Sequence, residues 1–277
     1  LIIAAILTVS CQDAVPLYKQ ADAPIEKRVE DLLSRMTLEE KILQMNQVTL
    51  GTNLNQNNIG GEQVEPVLGS YITYTATDPT EINQMQKRAM EETRLGIPVL
   101  FGFDAIHGFR TVYPIPLAQS CSWNPELVEK ACSISARESR LSGIPWTFSP
   151  MVDIARDGRW GRCAEGYGED PYTASVFCAA SVRGYQGDDL SDSTKIAACI
   201  KHYIGYGASE AGRDYVPTEI SSQTLWDTYM PPYQAGIEAG AATVMSSFNT
   251  INGTPASASP YHLTQVLKEQ FGWDGMI

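Results

Sequence analysis

The run Phe101-Gly102-Phe103-Asp104-Ala105-Ile106-His107-Gly108 ends an apolar stretch on a carboxylate. An Asp there can accept two hydroxyl hydrogen bonds, as from a sugar ring, or hold a metal ion; in a purely structural role it caps a helix or is satisfied in the core. His107 is the weaker candidate, because a His at a strand end often only bonds backbone. A denser segment follows: Asp153 to Cys163 carries three Arg, two Asp and Trp160 within eleven residues, with Glu165 and Glu169-Asp170 just beyond. Such density in a loop predicts ion pairs that hold the loop, with one Arg left to turn its planar fork of donors toward substrate oxygens. Trp160 then either walls a pocket or packs inside the loop. The third group is Lys201-His202-Tyr203, at the end of the apolar positions Ile196, Ala198 and Ile200. In a regular strand Lys201 and His202 point to opposite sides, so both reach one ligand only if the strand bends. A strand-end Lys also suits a second chemistry, a Schiff base with a carbonyl substrate.

Other chemistries fit poorly. No G-x-S-x-G is present and His107, His202 and His262 are the only imidazoles, which leaves Ser-His-Asp hydrolysis without support. No HxxxH-type pair and no zinc-like Cys spacing occurs, so no metal is expected.

Elements must carry these groups to one place. Ile25, Val29, Leu32, Leu33 and Met36 recur at helical spacing, and Thr37-Leu38-Glu39-Glu40 reads as a capping box opening a second helix with Ile42 and Met45 on its inner face. From residue 66 onward apolar strand segments (67–74, 98–103, 146–149, 195–202, 243–248 and 275–277) alternate with amphipathic stretches near 79–94, 124–142, 171–186, 221–239 and 260–271. Asp78-Pro79, Asn124-Pro125, Asp170-Pro171 and Ser259-Pro260 each place Pro at a first helical position. Alternation of this kind implies an α/β fold with parallel strands, doubly wound or a barrel. No Gly-rich phosphate fingerprint follows the first strand, and no cofactor is expected; polar residues instead recur at nearly every strand end, as in a (β/α)8 TIM-like barrel. Six segments predict a barrel truncated at about the sixth strand.

The 277 residues are 43% hydrophobic and 19% charged, ample for a core, and the net charge of −12 argues against nucleic acid as a partner. Leu1 to Leu7 is too short to cross a bilayer but fits the core of a signal peptide, and Ser10-Cys11 after it resembles a lipoprotein cleavage site. Residues 1–11 are therefore expected to be a leader remnant, 12–24 a linker and 25–277 one incomplete barrel domain. A lipid on Cys11 would attach the protein to a membrane, with export to the periplasm or outer membrane of a Gram-negative bacterium. Of the remaining cysteines, Cys132, Cys178 and Cys199 read as core, while Cys121 and Cys163, in loops, could pair.

Phe103-Asp104-Ala105-Ile106-His107-Gly108, Trp160-Gly161-Arg162, Gly168-Glu169-Asp170-Pro171, Lys201-His202-Tyr203 and Val244-Met245-Ser246-Ser247-Phe248-Asn249 occur in this order. Together they resemble the first domain of glycoside hydrolase family 3, the β-glucosidase and exo-glucanase type, from about Ile25 to Ile277. The resemblance implies retaining hydrolysis of a β-linked glucose or similar sugar from the non-reducing end of an oligosaccharide or β-glucoside. It implies substrate binding by Asp104, Arg162, Lys201 and His202, with Arg213 and Met245 nearby, and it puts Phe248 where many members carry a Tyr beside the nucleophile. It further implies a nucleophilic Asp just beyond Ile277 and an acid/base Glu from a later domain, so the 277 residues are expected to be inactive alone. Two other readings stand beside it: a non-catalytic sugar-binding protein, and a Schiff-base lyase using Lys201.

Overall fold

The computed structural model describes residues 15–50, 68–73 and 78–277. The Cys11 lipidation site and the leader, residues 1–11, lie outside them. Residues 17–19 form a 3-10 turn, and the Tyr18 hydroxyl donates to the Leu95 carbonyl at 2.6 Å, tying this segment to the body.

Helix α1 spans Ile25–Arg35 and α2 spans Leu38–Gln44. The expected capping box is present: Thr37 Oγ1 accepts from the Glu40 backbone N–H at 3.2 Å, and Glu40 Oε2 accepts from that of Thr37 at 2.9 Å. Neither helix has a buried residue, and Ile42 and Met45, expected on an inner face, are both exposed. Met45 is the C-terminal cap of α2, and Leu43 is the α2 residue that packs, partly buried, against the smaller core.

The parallel strands then follow one another in space as in the chain. Strand β1, Gln47–Leu50, pairs with β2, Ser70–Thr73; β2 pairs with β3, Leu100–Phe103; and β3 pairs with β4, Trp146–Thr147. A parallel bridge joins Trp146 to Ala197, β5 (Cys199–Tyr203) pairs with β6 (Thr243–Ser246), and Thr243 bridges in parallel to Met276. Strand β1 is an addition to the six segments expected from sequence. It directly follows a helix, and its four residues carry too little alternation to stand out. Within residues 195–198 a single bridge, at Ala197, is made, and the strand itself starts at Cys199.

Helices α3 (Pro79–Glu91), α4 (Pro116–Ser120), α5 (Pro125–Leu141) and α6 (Pro171–Gln186) fill the crossovers. Asp78, Asn124 and Asp170 each accept from a first-turn N–H, with Pro behind them where the missing donor costs nothing. The stretch 221–239 is not one helix. It breaks into α7 (Ser222–Thr224), a π-wound turn (Leu225–Tyr229) and α8 (Pro231–Glu238), because Pro231 and Pro232 lack the N–H groups that would continue the ladder. Helices α5, α6 and α8 line one side of the larger core, where Phe177, Tyr185 and Tyr233 meet Ile196, Ile200 and Val244. Among the described residues no helix is long and apolar enough to cross a membrane.

The cysteines expected in the core, Cys132, Cys178 and Cys199, are buried, and burial pushes their thiols up, that of Cys132 to about 11. Cys121 and Cys163 are both free thiols, so the pairing entertained from sequence does not occur.

Candidate functional site

Asp104 follows β3 directly, and the turn behind it is pinned on both sides. The Ala105 N–H donates to Thr147 Oγ1 at 3.2 Å, and the Ala105 carbonyl accepts from the Tyr185 hydroxyl at 2.8 Å. The Asp104 carboxylate is left 42% exposed, while Lys201, whose ammonium meets it at 2.5 Å, is only 2% exposed. The whole Lys201 side chain, ammonium included, thus lies buried, and its charge is compensated by the open carboxylate above it. Its backbone is locked to the neighbouring segment through Lys201 N–H to Pro150 O (3.1 Å) and Val152 N–H to Lys201 O (2.8 Å).

The bend that both residues require is there. Pairing of β5 with β6 loses its regular register between Lys201 and Tyr203. Lys201 turns to Asp104, and the ring of His202 turns to Asp153, with Nδ1 2.8 Å from Oδ2. Both partners are buried.

Arg162 opens a 3-10 turn, Cys163–Glu165, and both Nε and Nη2 donate to Glu165, at 2.6 and 2.7 Å. The fork expected to be free is therefore partly spent inside the loop, and Arg159 is likewise held by Asp157 at 2.5 Å. Burial pushes the Glu165 carboxyl up, but the Arg162 hydrogen bonds and the charges of Arg162, Lys201 and His202 outweigh it and hold it below the usual carboxylate range. Glu165 thus contacts Arg162 directly and feels Lys201 and His202 of β5 only through their charge.

Tyr206 sits between them. Its ring lies 5.7 Å from the Arg162 guanidinium and 5.1 Å from the His202 ring, with Phe248 5.5 Å away. Its hydroxyl donates to Asp214 Oδ1, which also accepts from Trp160 Nε1 at 3.1 Å. Trp160 therefore packs inside the loop, 2% exposed. Burial and the Asp214 hydrogen bond push the Tyr206 phenol above its ordinary range, so it stays protonated. The loop can lie this close because residue 207 is Gly: a Cβ there would stand 2.1 Å from the Ile154 carbonyl oxygen.

Asp104, Lys201, His202 and Arg162 are thus brought to one region. Met245 is paired with Lys201 in the ladder and is half-buried. The Arg213 side chain is exposed and has no hydrogen bond or ion pair among the described residues; the Asp214 beside it belongs to the Tyr206 cluster. His107 bonds backbone, its Nδ1 3.0 Å from the Tyr113 carbonyl oxygen. Sequence reasoning did not single out Tyr206 or Tyr233, and left Asp153 and Glu165 without a site role. For Tyr206 the available signal was an aromatic residue between Gly205 and Gly207 directly after the Lys-His-Tyr strand end.

The sequence pattern of the Glycosyl hydrolase family 3 N terminal domain matches residues 37–277. The chain belongs to this family. A periplasmic beta-glucosidase of Salmonella typhimurium is 40% identical over 90% of the chain. The crystal structure of beta-glucosidase from Listeria innocua in complex with glucose superposes with a TM-score of 0.84 at 38% identity, over 91% of this chain and 37% of that one. A mutant of the same enzyme in complex with laminaribiose gives 0.83, again at 38% identity, over 91% of this chain and 37% of that one. The family 3 chain described here spans about a third of the length of the curated relatives it matches, 32% for the Salmonella protein. The comparisons lend no support to a Schiff-base lyase or to a non-catalytic sugar-binding protein.

Proposed function

We propose that the chain is the sugar-binding part of a retaining, exo-acting glycoside hydrolase that releases β-linked glucose, or a similar sugar, from a non-reducing end. The observation that carries this reading is the meeting of Asp104 after β3, Arg162 from the loop between β4 and α6, and Lys201 and His202 of β5 in one region of a family 3 domain. An open carboxylate over a buried ammonium offers an acceptor and donors to neighbouring hydroxyls of one ring. The Arg162 group and His202 supply further donors, and such contacts resist ring rotation and tighten as the ring flattens toward an oxocarbenium-like state. Arg213 and Met245 stand at the rim as further contacts. Family relatives crystallised with glucose and laminaribiose support a β-glucoside as substrate.

In this reading the parallel ladder belongs to a (β/α)8 barrel, and the nucleophile and the acid/base come from outside these 277 residues. Retention needs two carboxyl groups about 5–5.5 Å apart, one of them held protonated. Glu165 is instead held below the usual carboxylate range. Asp214 is held low as well: burial pushes it up, but the Tyr206 and Trp160 hydrogen bonds and the Arg162 charge outweigh that. Both are suited to orienting cations and donors and unsuited to giving a proton. Export, with Cys11 as a lipid anchor, completes the proposal; the periplasmic relative supports the export.

The test is kinetic and stereochemical. The full-length protein, assayed with a panel of chromogenic β-glycosides and followed by proton NMR, is expected to release the β-anomer first; an α-anomer would overturn retention. Asp104→Ala is expected to lower kcat/KM at least about 100-fold, about 2.7 kcal/mol, and near-normal values would remove Asp104 from the sugar site. The 277-residue chain is expected to give no turnover, and hydrolysis by it would place the catalytic pair within these residues.

A further inference from the structure

His202 is held by groups that are themselves buried. Asp153 follows the segment that runs beside β5, and its side chain is 1% exposed against 2% for His202. Asp153 Oδ2 accepts from the His202 backbone N–H at 3.0 Å and lies 2.8 Å from its Nδ1. Asp153 Oδ1 lies 3.0 Å from the Tyr233 hydroxyl of α8, and that hydroxyl is 2.6 Å from the His202 carbonyl oxygen. One carboxylate and one phenol therefore grip the residue at its ring, its N–H and its carbonyl.

The direction of the ring contact follows from the inventory of donors. An oxygen already accepting a backbone N–H takes a second donor, so Nδ1 carries a proton toward Asp153. The far nitrogen, Nε2, has no hydrogen bond among the described residues. It is also not among their sealed, unpartnered side-chain atoms, which are Ser139 Oγ and Asn249 Oδ1. Nε2 is thus open, on a ring flanked by Tyr206 and by the exposed Phe248.

We propose that Asp153, with Tyr233, is a positioning residue that fixes His202 with its proton on Nδ1 and turns Nε2 toward the sugar. The mention of sugar rests on the function proposed above; the protonation of Nδ1 is a property of the fold and is read without hydrolysis.

Full-length protein labelled with 15N-histidine, compared by solid-state NMR with its His202→Gln variant, isolates the His202 ring signals. The expected result is a protonated Nδ1 in the wild type. Asp153→Asn keeps an acceptor oxygen against Nδ1 and directs its amide at the Tyr233 hydroxyl, so the same ring form is expected. Asp153→Ala is expected to give a mixture of tautomers and a kcat/KM reduced roughly 10- to 100-fold, the size of loss that follows removal of the group orienting a metal-bound His. Tyr233→Phe is expected to keep Nδ1 protonated with a loss of a few-fold, and it covers the case in which the Ala variant does not fold. An unprotonated Nδ1 in the wild type would overturn the proposal. So would a folded Asp153→Ala protein with the wild-type ring form and wild-type kinetics. A protein that hydrolyses no glycoside yet shows Asp153-dependent Nδ1 protonation would remove the sugar and leave the positioning in place.

Discussion

The helical pair α1–α2 and the strand β5 are built from opposite resources. The helices bury none of their residues, and Ile25, Leu38 and Met45 stand 69%, 74% and 79% exposed. They form because the residues beside each other in the chain already agree, through a capping box at Thr37 and an i,i+4 pair of Arg35 with Asp31, and a single Glu40–Arg94 bridge then ties α2 to the body. Every residue of β5, by contrast, is buried, and its side-chain partners lie far off: Asp153 is 49 positions from His202 and Asp104 is 97 from Lys201. Local agreement makes these helices with little help from the core, Leu43 alone packing against the smaller cluster, whereas a site made of converging side chains exists only once the core has been assembled.

Substitutions can break this contrast or sharpen it. Ile200→Ala, inside β5, is expected to cost about 2–5 kcal/mol in urea unfolding, because a fully buried side chain leaves a cavity. A cost below 1 kcal/mol would mean that β5 is not held by packing. Thr37→Ala, which removes one side of the capping box, is expected to cost about 1 kcal/mol. Its effect should fall on the amide exchange of α2 and leave that of β5 unchanged; a global effect would make α2 part of the core.

Acid should separate the two regions next. The Arg94 hydrogen bonds hold the Glu40 carboxyl near 2, against an ordinary value near 4.5. Its contribution is therefore present above pH 4.5 and lost as the pH falls from there through about 2, so α2 exchange should accelerate in that window. On the core side, burial lowers the His262 pKa. Its unfolded form takes up a proton first as the pH drops below 6.5, so core stability should begin to fall there, above the window of Glu40. The reverse order would contradict the assignment of either group. The smallest effect is expected at Ile25→Ser, within about 0.5 kcal/mol, since the side chain is already in water; a larger loss would show that the exposed stripe of α1 is covered in the protein.

The same contrast explains what could be read in advance. The helix starts at Asp78, Asn124 and Asp170 were legible because cap and Pro sit together in the chain. Strand β1 was hidden because four residues straight after a helix show no period of their own, and β4 keeps only Trp146 and Thr147 in the ladder. At the site, Asp104, Arg162, Lys201 and His202 were legible as residue types at strand ends and as family motifs. Their partners were not: that Arg162 would spend its fork on Glu165, or that His202 would lean on Asp153 and Tyr233, depends on the register of strands and on where α8 lands. Gly207 shows the limit clearly, since its close approach to Ile154 depends on a neighbouring loop 53 residues upstream (207 − 154).

The ladder order has a consequence for how the molecule is made. Each rung joins a segment to the one synthesised just before it, from Gln47 beside Ser70 through Ala197 beside Trp146 to Met276 beside Thr243. A nascent chain can therefore add its sheet one strand at a time as it leaves the ribosome, each new strand meeting the one made just before it. Among the described residues the outer edge of β1 has no partner strand, so growth by addition covers each newest edge in turn and leaves the first one open.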